Sequence, residues 1–237
     1  MRRLLLSAIS ALVLGVIGSP SASAQQLLSL YIGGFVPHAM DARGSDDVLF
    51  NNSSFLSTLN SVNGIDMGEF HGFTFGGEWL VGLNRFLEAG AGIGFYQKAA
   101  TTVYTNQVNS NGTEIAQELK LRIVPISATI RLLPLGHRAP VQPYVGGGVG
   151  IFLWRYSETG QWVDPNSNIF NGTFVGSGAK AGPLVLGGVR FPVGPMGFGG
   201  EIRWQGGEAN LPADQGFAGP TIDLGGFNYL FTVNFKF

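Results

Sequence analysis

The chain contains no cysteine, and only 12% of its 237 residues are charged. Without cysteine there is no disulfide framework, which small secreted soluble domains commonly rely on. Average soluble domains carry about 25% charge, so a chain that is 45% hydrophobic with so few charges must place its apolar surface against something other than water. Beyond residue 24, no apolar run reaches the roughly 20 residues of a membrane-spanning helix, because glycines and polar residues interrupt every stretch. Histidine is scarce, with three in all.

What is present begins with Met1-Arg2-Arg3, an apolar run over 4–17 and Ala22-Ser23-Ala24. A basic start, a short apolar core and a small-x-small site predict a secretory signal peptide over 1–24, leaving 25–237 as a single domain. The run is too short for an anchor helix and lacks a basic stop-transfer flank. An exported chain of this composition can bury its apolar surface as a β-barrel, with alternate side chains facing lipid and lumen. A soluble secreted β-sandwich is the alternative architecture.

Period-two segments bounded by Gly, Pro, Asn and Asp predict eight strands, over about 26–36, 69–81, 86–98, 117–132, 141–156, 173–193, 198–205 and 222–237. Leu28, Leu30 and Ile32 share a face of the first; Phe73, Phe75, Trp79 and Val81 share a face of the second. The fourth strand changes phase: Leu119, Leu121 and Ile123 have one parity, and Ile126, Ala128, Ile130 and Leu132 the other. A β-bulge near Pro125 would return both sets to the lipid face. The sixth strand is apolar on both faces, so its register stays open. Residues 48–59 fit either a short helix or a strand extension.

Connections 37–69, 99–116, 157–172 and 206–220 are long and polar, and those at 83–85 and 194–197 are short. Long outer loops alternating with short periplasmic turns, on an even strand count, are the outer-membrane pattern. The expected fold is therefore an all-β, eight-stranded antiparallel transmembrane β-barrel in the outer membrane.

These phases direct Glu78, Glu88 and Glu201 into the lumen, with Lys120, Arg122, Arg131, Arg190, Arg203 and Lys236. A lipid-facing Arg or Lys costs about 2–4 kcal/mol at the midplane. The bore of an eight-stranded barrel is just wide enough for side chains to fill, so charges there must pair or reach trapped water. The expectation is a side-chain-filled lumen with negligible steady conductance; the alternative is a narrow, mildly anion-preferring conduit. Period-two glycines (Gly90, Gly92, Gly94; Gly146, Gly148, Gly150) suit a crowded interior and lack the spacing of a dinucleotide fingerprint.

The predicted loops carry ten acids, Asp41, Asp46, Asp47, Asp66, Glu69, Glu114, Glu158, Asp164, Glu208 and Asp214, against one base, Arg43. They are read as solvated, with bridging by divalent cations to phosphorylated lipid as the sharper alternative. His38 and His71, with Glu69 nearby, fall near the outer rim of one hairpin, and His137 falls in a periplasmic turn with Arg138. Two imidazoles and a carboxylate are a conceivable zinc or acid–base set, but no positioned nucleophile accompanies them. Gly176-Ser177-Gly178 lacks the spacing of a nucleophile elbow. No catalytic residue, metal or cofactor is expected.

The last strand sets Phe227, Tyr229, Phe231, Val233, Phe235 and Phe237 on one face, opposite Asn228, Leu230, Thr232, Asn234 and Lys236. Alternating aromatics ending in Phe237 resemble the C-terminal assembly signal of outer-membrane barrels, which implies recognition of Tyr229, Phe231, Val233, Phe235 and Phe237 by the barrel-insertion machinery. Residues 142–150, Gln-Pro-Tyr-Val-Gly-Gly-Gly-Val-Gly, resemble a segment of small OmpA-, OmpX- and OmpW-like barrels. The resemblance implies a monomeric barrel in contact with outer-membrane lipid and lipopolysaccharide, with no nucleic-acid partner. It implies a structural or surface-interaction role, alternatively a narrow channel or transporter for small solutes, and in third place a lipid-modifying enzyme. The peptidoglycan-binding domain of full-length OmpA-type proteins is not in this sequence.

Overall fold

The computed structural model describes residues 25–59, 61 and 63–237; the expected signal peptide lies outside them. Eight antiparallel strands close into a ring: β1 (Gln26–Pro37), β3 (Gly72–Gly82), β4 (Leu87–Val108), β5 (Glu114–Leu132), β6 (Gln142–Val163), β7 (Ile169–Val193), β8 (Met196–Gln205) and β11 (Gly226–Lys236). Closure is made by β1 on β11, from Leu27↔Lys236 to Pro37↔Gly226. Phe237 N–H donates to Gln26 O, which extends that seam by one residue. Where all eight strands pair, the closed ring leaves no edge, the condition for crossing lipid with strands.

The outer wall carries a belt of exposed apolar side chains, including Leu30, Ile32, Phe73, Trp79, Ile93, Ile130, Val149, Val185, Ile202 and Phe231. The intervening residues point inward and are buried: Ser29 and Tyr31 on β1, Thr74 and Glu78 on β3, Thr129 and Arg131 on β5, Glu201 and Arg203 on β8. The expected lipid-facing sets of the first, second and eighth strands all lie on this wall.

The wall is uneven in height. Strands β4 to β7 run 19 to 25 residues, whereas β1, β3, β8 and β11 run 10 to 12. Segments 99–116 and 157–172, expected as loops, are therefore mostly strand, with turns only at 109–113 and 164–168. The connections from the short strands fold against the inner face of this tall wall. The first contains helix α1 (Val48–Asn52) and strand β2 (Leu56–Thr58), the latter paired with β4. Residues 48–59 thus supply both a helix and a strand. The last contains a small hairpin, β9 (Glu208–Asn210) with β10 (Thr221–Asp223).

The bulge expected near Pro125 is not there. Ile93 pairs with Ile126 and Tyr96 with Ile123, one register on both sides of the proline, and the β4–β5 shift lies between Val103 and Val108. Strand β5 keeps a single phase, so Leu119, Leu121 and Ile123 turn inward, at most 1% exposed. They join Val48, Leu49, Leu56, Phe70, Tyr156, Leu211 and Ile222 in a hydrophobic cluster shared by the wall and both folded-in connections. The apolar parity that seemed to need lipid finds a protein core above the membrane instead.

The same phase turns Lys120 and Arg122 outward rather than into the lumen. Arg122 lies ten residues along the strand from Leu132, about 25 Å of height at roughly 3.3 Å per residue and a tilt of about 40°. That is the full apolar band of such barrels, so the midplane penalty does not apply to either residue.

Candidate functional site

Six of the sequence-selected charges meet inside the membrane-level barrel. Glu78 accepts from Arg131, from Arg203 Nη2 at 3.0 Å and from Thr129 Oγ1 at 2.7 Å. Glu201 accepts from Arg203 Nε at 2.9 Å and Nη2 at 2.6 Å, and from Tyr144 Oη at 3.0 Å. Arg131 Nη2 also stands 3.1 Å from Glu201 Oε2, so two arginines and two glutamates form one closed set. Toward the short turns, Arg190 grips Glu88, whose Oε1 is also 3.2 Å from His137 Nδ1. Tyr144 lies beneath two guanidinium groups, Arg131 at 5.0 Å and Arg190 at 5.6 Å, and Tyr31 beneath Arg203 at 5.4 Å, a cation–π layer that adds to the pairing.

The glycine faces make room for this set. A Cβ at Gly90 would stand 2.5 Å from Glu78 Oε1 and 2.6 Å from Thr129 Oγ1. A Cβ at Gly188 would stand 2.6 Å from Tyr144 Oη.

The other three selected charges lie elsewhere. Lys120 and Arg122 line an outward-facing cleft with Gln97, Arg155 and Ser157. Lys236 is exposed at the short-turn end, beside a small cavity of about 50 Å³ that Arg190, Gln142 and Asn234 also line. Of the residues that resemble an assembly signal, Tyr229, Phe231 and Phe237 are 51%, 50% and 69% exposed on the outer wall, which Val233 and Phe235 share.

Among the described residues, no group of three or more His, Asp and Glu could hold a metal ion. His38 is engaged elsewhere: its Nδ1 is 2.7 Å from Asp223 Oδ2, and Trp204 Nε1 donates to its Nε2 at 3.3 Å. His71 ends the 3-10 turn Met67–Phe70.

Two of the supposedly solvated acids are buried. Asp47 caps α1 by accepting from Leu49 N–H and Phe50 N–H, pairs with buried Arg43 at 3.0 Å and accepts from Asp223 N–H at 2.7 Å. Glu158, 1% exposed, accepts from Asn52 Nδ2 at 2.7 Å and Tyr156 Oη at 2.9 Å. Burial pushes its carboxyl up to about 7, against the pull of those two bonds. Beside it opens a cleft of about 620 Å³. The signal for Glu158 was in the sequence: Trp154, Tyr156, Glu158 and Trp162 share one parity, continuing the strand past Tyr156.

No family model matches the chain, and no curated protein is similar to it in sequence. Among solved structures, the chain is similar to the outer membrane protein OprG from Pseudomonas aeruginosa, at 11% identity over 90% of this chain and 96% of that one, with a TM-score of 0.51. Neisserial surface protein A aligns at 15% identity over 92% and 99%, with a TM-score of 0.44. The N-terminal β-barrel domain of OprF from Pseudomonas aeruginosa aligns at 10% identity over 90% and 97%, with a TM-score of 0.40. The fold is that of the small outer-membrane β-barrels: an eight-stranded antiparallel ring with an apolar belt for lipid.

Proposed function

We propose that the chain is a structural, surface-interacting outer-membrane barrel whose lumen is closed by its own side chains. One observation carries this reading: four arginines and acids interlock across the bore, Arg131, Arg203, Glu78 and Glu201, each at most 7% exposed. Above them lies the hydrophobic cluster that the folded-in connections share with the wall. Ions would have to break charge-assisted hydrogen bonds at one level and enter apolar packing at the next. The role is non-enzymatic, and the barrel is monomeric.

Planar-bilayer recording on purified protein tests this: negligible steady conductance is expected, and large, stable open channels would overturn it. The partners are lipid and lipopolysaccharide, met by the aromatic belt and by outward-facing Lys120, Arg122 and Arg155, and the barrel-insertion machinery, met by the alternating residues ending at Phe237.

A second reading, a narrow route for small solutes, is favoured by one feature. Strand β8 ends opposite Leu184, so β7 continues over Ile169–Pro183 without a ladder partner on that side. Beyond that point Gly206 N–H bonds Pro183 O, and Val175 N–H donates to Gln215 Oε1 at 3.4 Å. A solute could leave the wall sideways there. A disulfide placed across that seam would abolish such a route and leave a structural role untouched.

A further inference from the structure

Five acidic side chains are buried among the described residues: Asp47, Glu78, Glu88, Glu158 and Glu201. Four are held by arginine, Asp47 by Arg43, Glu88 by Arg190, Glu78 and Glu201 by Arg131 and Arg203. Glu158 is the exception: its partners are the neutral groups of Asn52 and Tyr156. A carboxylate taken out of water without a cation is costly, and such an acid in a cleft marks a candidate functional site.

The surroundings indicate that use. Glu158 and Asn52 line the cleft of about 620 Å³ formed by the first connection, the tall hairpin tips and the last connection. Its walls are aromatic: Phe55, Tyr104, Trp162, Phe170 and Phe174. Trp162 meets Phe174 edge-on at 5.2 Å, and Phe55 lies 5.7 Å from Tyr104. Two buried polar atoms there have no hydrogen-bond partner, Asn52 Oδ1 and Trp162 Nε1; the residues are 0% and 6% exposed. Buried polar groups are ordinarily satisfied, so an acceptor and a donor left open on one aromatic cleft, beside an uncompensated acid, mark a place for a ligand. Asp164, another acid, also lines the cleft.

We infer that this cleft binds a small organic cation, a primary ammonium on an aromatic or aliphatic body, with the ammonium between Glu158 and Asn52 Oδ1 and the body against the rings. An ammonium supplies up to three donors and no acceptor, which matches a carboxylate plus an open amide oxygen and leaves the Trp162 Nε1 donor unused. Aromatic faces attract cations at close range, more so when water is excluded. An anion would meet Glu158, Asp164 and, behind Tyr156, Asp47. A neutral body of the same shape would gain the ring contacts alone and leave Glu158 uncompensated.

The titratable group in contact with Glu158 is Tyr156 on its own strand; Asp47, paired with Arg43, acts on Tyr156 from the helix side, and Tyr104 and Asp164 share the cleft. The carboxyl therefore sets the pH dependence of cation binding, which strengthens as it ionises.

The test is calorimetric titration of the full barrel in non-ionic detergent with 2-phenylethylammonium, against neutral 2-phenylethanol and anionic 3-phenylpropionate. At pH 8 the ammonium should bind at least about 10-fold more tightly than the alcohol, and that advantage should fall severalfold at pH 5.5, where the carboxyl is protonated. Glu158→Gln, nearly isosteric, should remove the advantage while leaving the alcohol's binding within about twofold. Equal binding of ammonium and alcohol by the wild-type protein would overturn the assignment without recourse to any variant. So would an undiminished ammonium preference in a folded Glu158→Gln protein.

Discussion

Arg190 of β7 donates to both oxygens of Glu88 on β4, at 2.9 and 3.2 Å, although two strands separate them around the ring. Such a contact can form only across the bore. It ties opposite sections of the wall together where side chains are shielded from water. Removing one partner strands the other: Arg190→Ala is expected to cost about 3–5 kcal/mol. The double change Glu88→Met with Arg190→Met should cost far less, because no charge is left buried. Urea unfolding of both proteins in micelles checks the difference.

The single phase of β5 makes opposite demands on adjacent residues. Leu121→Ala opens a hole in the shared hydrophobic cluster and is expected to cost about 2–5 kcal/mol. Lys120→Ala and Arg122→Ala, at the outer surface, should each change stability by no more than about 0.5 kcal/mol. A bulge at Pro125 would reverse that ranking. The same two lysine and arginine changes, with Arg155→Ala, should weaken co-sedimentation with lipopolysaccharide vesicles and leave binding to zwitterionic vesicles unchanged.

Asp47 joins three tasks: capping α1, neutralising Arg43 and receiving Asp223 N–H. Asp47→Ala should release the first connection from the wall. The buried guanidinium left behind sets the scale at about 3–5 kcal/mol. Limited proteolysis should then cut within residues 38–71 of a barrel that still shows heat-modifiable migration on gels. An uncut loop would count against this account.

Glu158 makes stability depend on pH. Its carboxyl is raised from an ordinary 4.5 to about 7 in the folded protein. Between those values the folded state holds a proton that the unfolded chain has lost, so stability falls as pH rises through the window. The full effect, reached above about pH 7, is on the order of 3 kcal/mol. Glu158→Gln should therefore melt higher than wild type at pH 8, with the gap closing by pH 4. Thermal unfolding at the two pH values measures it, and a bound organic cation should narrow the gap at pH 8 by compensating the carboxylate.

Much of the membrane-level barrel was legible beforehand because lipid enforces one rule along each strand. Phe73, Phe75 and Trp79 must face hydrocarbon, so Thr74 and Glu78 between them must face inward. The rule lapses where the strands leave the bilayer. Leu119 and Leu121 looked like a lipid face, yet they cover a loop-built core, because apolar burial is indifferent to whether the apolar partner is lipid or protein. Asp47 and Glu158 looked like loop charges, since nothing local distinguishes a carboxylate that caps a buried helix or lines a cleft from one in water.

Local alternation and composition were sufficient for the strand-built crossing of the bilayer and its aromatic closing strand, since period-two burial acts residue by residue. Which acid pairs with which arginine, how the connections fold onto the tall wall, and why Glu158 has no cation all depend on residues far apart in the chain, such as Asn52 and Glu158. Those relationships arise only when the ring closes and brings distant strands and loops within hydrogen-bonding reach.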